Sequence, residues 1–143
     1  MENSDRFKVE CASLFRWYRS TLCLALEQER ERTSVSARKF KEHPSPLVRD
    51  RGDVLARKAS TIESLKNTIF FGANNTSELV SVYGHFMLEA AVWGEAEALV
   101  AMNDSDTEAE VNRYAARAAD MHEIKVRLTN MRNEYFPVNS GSK

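Results

Sequence analysis

Residues 78–103 read ELVSVYGHFMLEAAVWGEAEALVAMN and form the most hydrophobic stretch of the chain. Apolar or small residues occupy most of the helical circumference of this stretch. Its charged residues are Glu78, Glu89, Glu95 and Glu97. A helix that is apolar on so many sides is normally covered by several neighbours. The stretch therefore predicts a central helix, around which amphipathic segments pack.

The rest of the chain predicts three amphipathic helices that pack against this one. Apolar residues recur at spacings of three and four in the N-terminal segment, at seven in the next, and over about seven turns in the last. The predicted main helices span about residues 4–31, 47–71, 76–103 and 105–136. Together they predict an all-α, single-domain antiparallel helical bundle over residues 1–143, with a disordered polar tail at 137–143.

The first connection leaves two alternatives open. Residues 34–42 predict either a short helix or an extension of the first helix that bends at Thr33, before two prolines turn the chain. Gly52 inside a helix is unfavourable by about 1 kcal/mol relative to alanine. The regular second helix is therefore expected to begin only at Asp53.

Local signals also mark the later helix ends. Gly72 follows two phenylalanines and is typical of the left-handed residue just past a helix. Ser105 and Glu108 match the S-x-x-E capping box at the start of the last helix. The short connection between the second and the central helix predicts that these two form an antiparallel αα-hairpin.

Composition limits the class of protein. The chain has 143 residues, of which 43% are hydrophobic and 29% charged, with a formal net charge of −1; these values are typical of a soluble globular domain. No stretch reaches the ~18 apolar residues of a membrane span, and no basic segment followed by an apolar run opens the chain, so we expect a cytoplasmic protein with no membrane partner. Cys11 and Cys23 lie ~18 Å apart on one helix, beyond disulfide reach, and are expected to be reduced and buried.

The usual signatures of catalysis and cofactor binding are missing from the chain. It contains no phosphate-binding loop, no nucleophile elbow and no Cys-x-x-Cys. His85 and Glu89 stand one turn apart, but a metal site in a bundle needs further inward ligands, usually as Glu-x-x-His. Glu95 and Glu97 point ~200° apart on a helix, which does not suit a shared metal ion. We expect no catalytic residue, no metal and no cofactor.

Two groups of residues are candidates for contact with a protein partner. On the first helix, a narrow line around Trp17 is flanked by arginines, and it either packs within the chain or meets a partner. On the central helix, a side of small residues permits close approach of another backbone, and a line of bulky residues recurs at sevens. The candidate interface residues are Arg16, Trp17, Arg19, Leu24, Phe86, Ala90, Trp93, Gly94, Ala98 and Val100. One side of the central helix is expected to form a homodimer interface unless companion helices cover both.

Charge is segregated along the chain. Residues 32–58 hold eight lysines and arginines against three acids, a net of +5, and residues 78–123 hold ten acids against two arginines, a net of −8. The candidate anionic-partner patch consists of Arg38, Lys39, Lys41, Arg49, Arg51, Arg57 and Lys58. This patch, with Phe40 as a stacking face, is suited to nucleic-acid phosphates, to an acidic protein or to the acidic helices of the chain itself.

These patterns favour a small non-enzymatic helical protein that acts by binding a protein partner, as an inhibitor, adaptor or regulatory subunit. Its size and style are those of regulators encoded by phages and mobile elements. The first alternative is a nucleic-acid-binding protein that uses residues 32–58. The second is a small-ligand or nucleotide-binding protein with an interhelical pocket lined by Tyr83, His85, Glu89 and Trp93.

Overall fold

The computed structural model describes residues 2–136 and contains four α-helices over that range. In chain order they are α1 (Glu2–Lys41), α2 (Pro46–Phe70), α3 (Thr76–Asn103) and α4 (Glu108–Tyr135). No strand occurs among the described residues, and the helices pack on one another, so the prediction of an all-α bundle is confirmed. The predicted disordered tail at 137–143 lies outside the described residues.

Helix α1 is the element that the other three helices share. It packs along α2, α3 and α4, and the remaining close helix pair is α3 with α4. Its buried side includes Leu14, Leu22 and Leu26, which are fully enclosed. The prediction that residues 78–103 form the central helix is wrong, because α1 is the helix that packs against all three others. At 40 residues or ~60 Å, α1 is long enough to contact each of them.

Helix α2 packs antiparallel to the C-terminal part of α1. The two helices are joined by a short turn, and the Lys66 ammonium near the end of α2 lies 2.7 Å from the Glu27 carboxylate of α1. The prediction that α2 and α3 form the αα-hairpin is wrong, since the close packing of α2 is with α1. Side chains still bridge α2 and α3, where Lys58 pairs with Glu89 at 3.3 Å.

Helices α3 and α4 form the second close pair, and both pack on α1. Arg6 near the start of α1 pairs with Glu134 near the end of α4 at 2.7 Å. Further along α1, the Thr21 hydroxyl donates to the Asp120 carboxylate at 3.4 Å, so α4 runs antiparallel to α1. Buried side chains from all four helices join in one hydrophobic cluster.

Helix α1 is longer than predicted. It continues through Thr33 to Lys41, so residues 34–42 mainly extend the first helix and do not form a separate one. Its backbone departs from helical geometry at Tyr18, with φ −126° and ψ 19°, and not at Thr33. Thr33 is buried. The low helix propensity of residues 33–36 is therefore offset by packing at Thr33 and by the strong helix formers on either side.

The later helix ends follow the sequence signals in part. Gly72 follows α2 with a φ of 89°, the left-handed conformation predicted for it. At the start of α4, the Thr107 hydroxyl accepts a hydrogen bond from the Glu110 backbone N–H at 3.2 Å. The predicted Ser105–Glu108 capping box is wrong, because Ser105 donates to a carbonyl in the last turn of α3 instead.

Gly52 lies at a close approach of α1 and α2. A Cβ built on it would lie 2.9 Å from the Ala37 carbonyl oxygen and 3.0 Å from the Lys41 backbone nitrogen. These are backbone atoms, which cannot swing aside as the end of a side chain can. Gly52 lies within a helix that begins at Pro46, so the prediction that regular α2 begins at Asp53 is wrong.

We expect Gly52→Ala to destabilise the protein by about 1–3 kcal/mol, because the added methyl group forces α1 and α2 apart. Gly84→Ala is the matched control, since a Cβ there meets its nearest neighbour at 3.7 Å, an ordinary contact. The control should gain up to about 1 kcal/mol from the better helix propensity of alanine. Urea unfolding followed by circular dichroism measures both, and an equal gain in both variants would contradict the close approach.

Candidate protein-binding surfaces

Helix α3 carries an apolar side that no helix of the described chain covers. Its members expose between 44% and 61% of their surface, and we call them the outer face of α3: Val82, Val92, Trp93, Leu99 and Val100. By helical spacing, Val82, Trp93 and Val100 share one line, and the other two share the adjacent line. Single exposed apolar residues are ordinary, whereas a contiguous apolar patch marks an interaction surface.

The small-residue side of α3 is buried within the chain. Ala90, Gly94 and Ala98 are all enclosed. A Cβ on Gly94 would lie 2.6 Å from the Met121 sulfur of α4, so the small residues serve the close approach of α3 and α4. This corrects the prediction that Ala90, Gly94 and Ala98 face a second subunit, because α4 occupies that side. The bulky side of α3 is the one that stays open.

Three residues of the outer face escaped the sequence-based prediction, namely Val82, Val92 and Leu99. Their signal is present, since Val92 and Leu99 recur at seven directly before Trp93 and Val100. On a helix that is apolar all round, however, periodicity does not distinguish the covered sides from the open one. That distinction requires the positions of α1 and α4.

Trp17 on α1 is a separate exposed aromatic residue. It exposes 70% of its surface, and the Arg16 guanidinium lies 5.8 Å from its ring centroid. Arg19 is also exposed, whereas Leu24 packs partly against the core. Among residues 2–136, no helix buries Trp17, and its role in a partner contact stays a prediction.

A groove of about 620 Å³ opens beside Trp93, where α1, α2 and α3 meet. Phe40 of α1, Leu55 of α2 and Trp93 of α3 provide its apolar lining, and Arg32 and Lys58 border it. The Arg32 guanidinium lies 5.5 Å from the Trp93 ring centroid, which holds the indole at the mouth of the groove. We call this site the three-helix groove.

The basic patch predicted from residues 32–58 is divided between different surfaces. Lys41 and Lys58 form ion pairs with acids at 3.6 and 3.3 Å. Arg49 donates to backbone carbonyl oxygens of the α1–α2 turn. Besides Arg49, the exposed members outside the ion pairs of the described chain are Arg38, Lys39, Arg51 and Arg57. Arg38 lines a cleft on the other side of α1 and α2, so the seven cations do not form one continuous track.

The four residues suggested for a small-ligand pocket do not converge. Tyr83 lines a groove between α2 and α3, whereas Trp93 lines the three-helix groove. His85 is exposed, with its ring centroid 4.2 Å from that of Phe86, and Glu89 is engaged by a lysine of α2. The described residues also contain no group of three His, Cys, Asp or Glu side chains placed to hold a metal ion.

Two further predictions about titratable residues agree with the structure. Glu95 pairs with residues of α4 while Glu97 pairs with α1, so the two carboxylates point to different helices. Cys11 and Cys23 are free and buried. Burial raises the pKa of Cys11 to about 12 and raises the pKa of Cys23 as well, which makes both thiols poor nucleophiles.

An ion-pair network joins α1 and α2 in the cleft on the side of Arg38. Glu27 accepts hydrogen bonds from the Arg30 guanidinium at 2.6 Å and from the Lys66 ammonium at 2.7 Å. Glu63 of α2 pairs with Arg30 at 2.9 Å. The hydrogen bond from Arg30, followed by that from Lys66, lowers the pKa of Glu27 from 4.5 to about 2. Arg30 and Lys66 are both paired with acids, so the network links α1 to α2.

The ion-pair network around Glu27 makes the free energy of unfolding depend on pH in the acid range. Because the folded-state pKa of Glu27 is depressed, its contribution is complete above about pH 4.5 and is lost as the pH falls towards 2. We expect Glu27→Gln to cost about 1 kcal/mol at neutral pH, as for partly exposed ion pairs, and to lose less stability than the wild type on acidification. Urea unfolding at several pH values tests this. Glu42→Gln, at an exposed position, is the control and should keep the wild-type pH dependence. If the free energy of unfolding changed with pH equally in all three proteins, Glu27 would not be the source of the dependence.

No family model, curated protein or solved structure matches the chain. None of the four described helices combines the length and the hydrophobicity that a membrane span requires. A proposal about function must therefore start from the two surfaces that meet at Trp93. One is the apolar outer face of α3, and the other is the three-helix groove with its neighbouring cations.

Proposed function

We propose that this chain acts by binding another protein molecule, and that the outer face of α3 is the contact surface. The observation that carries the proposal is the exposure of five large apolar side chains on one helix face. Each square ångström of apolar surface removed from water contributes about 25 cal/mol, so a partner that covers this face gains affinity from it. An inhibitor, an adaptor or a regulatory subunit acts in this way, through binding alone.

Trp93 is the expected anchor of the contact. It lies near the middle of the outer face, and its ring is half-exposed. Arg32 packs against the ring from within the chain, so the indole loses little conformational freedom when a partner covers it. Tryptophan and arginine are also the residues most enriched at the energetic centre of protein interfaces.

A second copy of the chain suits the outer face. In an antiparallel pair of α3 helices with a two-fold axis at Trp93, Phe86 of one copy faces Val100 of the other, since each lies seven residues from Trp93. Glu89 and Glu97 lie four residues to either side of Trp93, and the axis brings them together. Each is already paired with a cation of its own chain, which reduces the repulsion between them.

Val100→Glu should weaken self-association by about tenfold or more, because a two-fold interface receives the introduced charge twice. Val9→Glu is the matched control, since Val9 is slightly more exposed than Val100, at 67% against 61%, but lies on α1. Sedimentation velocity over a range of concentrations measures both variants and the wild type. Pull-down from the native host with the same three proteins detects a different partner.

Two results together would overturn the proposal. They are a wild type that stays monomeric at all concentrations, and a Val100→Glu variant that captures the same proteins as the wild type. A monomeric wild type whose captured partner is lost in Val100→Glu instead identifies the outer face as the site for a different protein. Circular dichroism of each variant establishes that the fold is retained.

A further inference from the structure

The three-helix groove has an elongated apolar floor that is open to solvent. Phe40 is 37% exposed, Trp93 is half-exposed, and Leu55 lies half-buried in the groove with them. Between Leu55 and the α1–α2 turn, α2 also exposes Val54 and Leu47, which are seven residues apart on one helix face. The stretch of α2 from Leu47 to Leu55 is ~12 Å long, a little over two helical turns.

Cations stand on both walls of the groove towards the turn. Lys39 lies three residues after Ser36, and Arg51 lies four residues before Leu55, so each shares a helix face with a residue that lines the groove. Both side chains belong to exposed residues. Neither takes part in the ion pairs that residues 32–58 make within the described chain, which involve other cations of that segment.

The end of the groove at Trp93 differs in charge balance from the end near the α1–α2 turn. Arg32 is paired with Glu29 and with Glu97, and Lys58 is paired with Glu89. These pairs neutralise the cations next to Trp93. Near the α1–α2 turn, the exposed cations Lys39, Arg49 and Arg51 outnumber the exposed acids Glu42 and Asp50, so a surplus of positive charge lies at that end.

We propose that the three-helix groove binds an amphipathic helix of a partner protein, whose apolar stripe is flanked by acidic residues. Apolar side chains at i, i+3 or i+4 and i+7 match the succession of Trp93, Leu55 and Phe40 along the groove. Carboxylates on the two flanks of the stripe pair with Lys39 and Arg51. The inference rests on the proposed protein-binding function, but its site shares only Trp93 with the outer face of α3.

An acidic helix fits this groove better than a nucleic acid does. A phosphate backbone requires a continuous track of cations, whereas Arg38 lies in a different cleft. The two aromatic residues of the lining, Phe40 and Trp93, lie on different helices, so the groove does not offer a row of stacking faces for successive bases. Carboxylates on a helix can be spaced to meet two facing cations.

Fluorescence of Trp93 tests the proposal on the full chain. The chain has two tryptophans, and Trp17→Phe leaves Trp93 as the only reporter. The probe is a synthetic peptide of about 18 residues with leucine at i, i+3, i+4 and i+7 and glutamate on both flanks. The control peptide has lysine in place of each glutamate. We expect only the acidic peptide to cause a saturable blue shift of the emission, with an affinity that falls as salt is added.

Charge reversal on the groove walls provides the second part of the test. Lys39→Glu combined with Arg51→Glu should weaken binding of the acidic peptide by about tenfold or more. Lys8→Glu combined with Arg132→Glu makes the same change in net charge at exposed positions near the opposite end of α1, and it should bind the peptide as the wild type does. Thermal unfolding of both double variants shows whether each is folded.

Three results would overturn the proposal: equal binding of the two peptides, undiminished binding by the Lys39 and Arg51 double variant, or tighter binding of a DNA oligonucleotide than of the acidic peptide. Failure of the peptide with intact self-association in sedimentation removes this inference alone. Peptide binding by a wild type that neither self-associates nor loses a partner on Val100→Glu removes the role of the outer face of α3 and leaves the groove standing.

Discussion

Helix α1 buries one apolar side along most of its length, and the positions of the other helices depend on that burial. Its first part is covered by α4, its last part by α2, and α3 packs against it as well. The length of α1 and its buried side therefore decide which helices become neighbours. Had α1 ended near Glu31 as predicted, α2 would lack the surface around Ala37 on which it packs.

Two small residues set how the helices pair. Gly52 lets the backbone of α2 approach that of α1, and Gly94 makes room for Met121 between α3 and α4. Because α2 is held close to α1, it approaches α3 only through side chains such as Lys58. Helix α3 therefore has two close neighbours, α1 and α4, and its bulky side faces solvent. The exposed surface argued to bind a partner is a direct consequence of this arrangement.

The same arrangement explains why the two candidate sites meet at Trp93. At the junction of α1, α2 and α3, the indole belongs both to the outer face of α3 and to the three-helix groove. Arg32 supports the ring and also links it to Glu97 of α3. Trp93 is therefore a side chain that the two proposed sites share.

The sequence by itself determined the fold class, the number of main helices and the approximate limits of α2, α3 and α4, because periodicity and turn residues such as Gly72 act over a few neighbouring positions. It also identified Trp93 and Val100 as a bulky line and the two cysteines as buried thiols. Only the tertiary structure decided which helix is central, which side of α3 is covered and how the basic residues are divided. These properties depend on contacts between residues far apart in the chain, and a helix that is apolar all round presents no local sign of which neighbour it lacks.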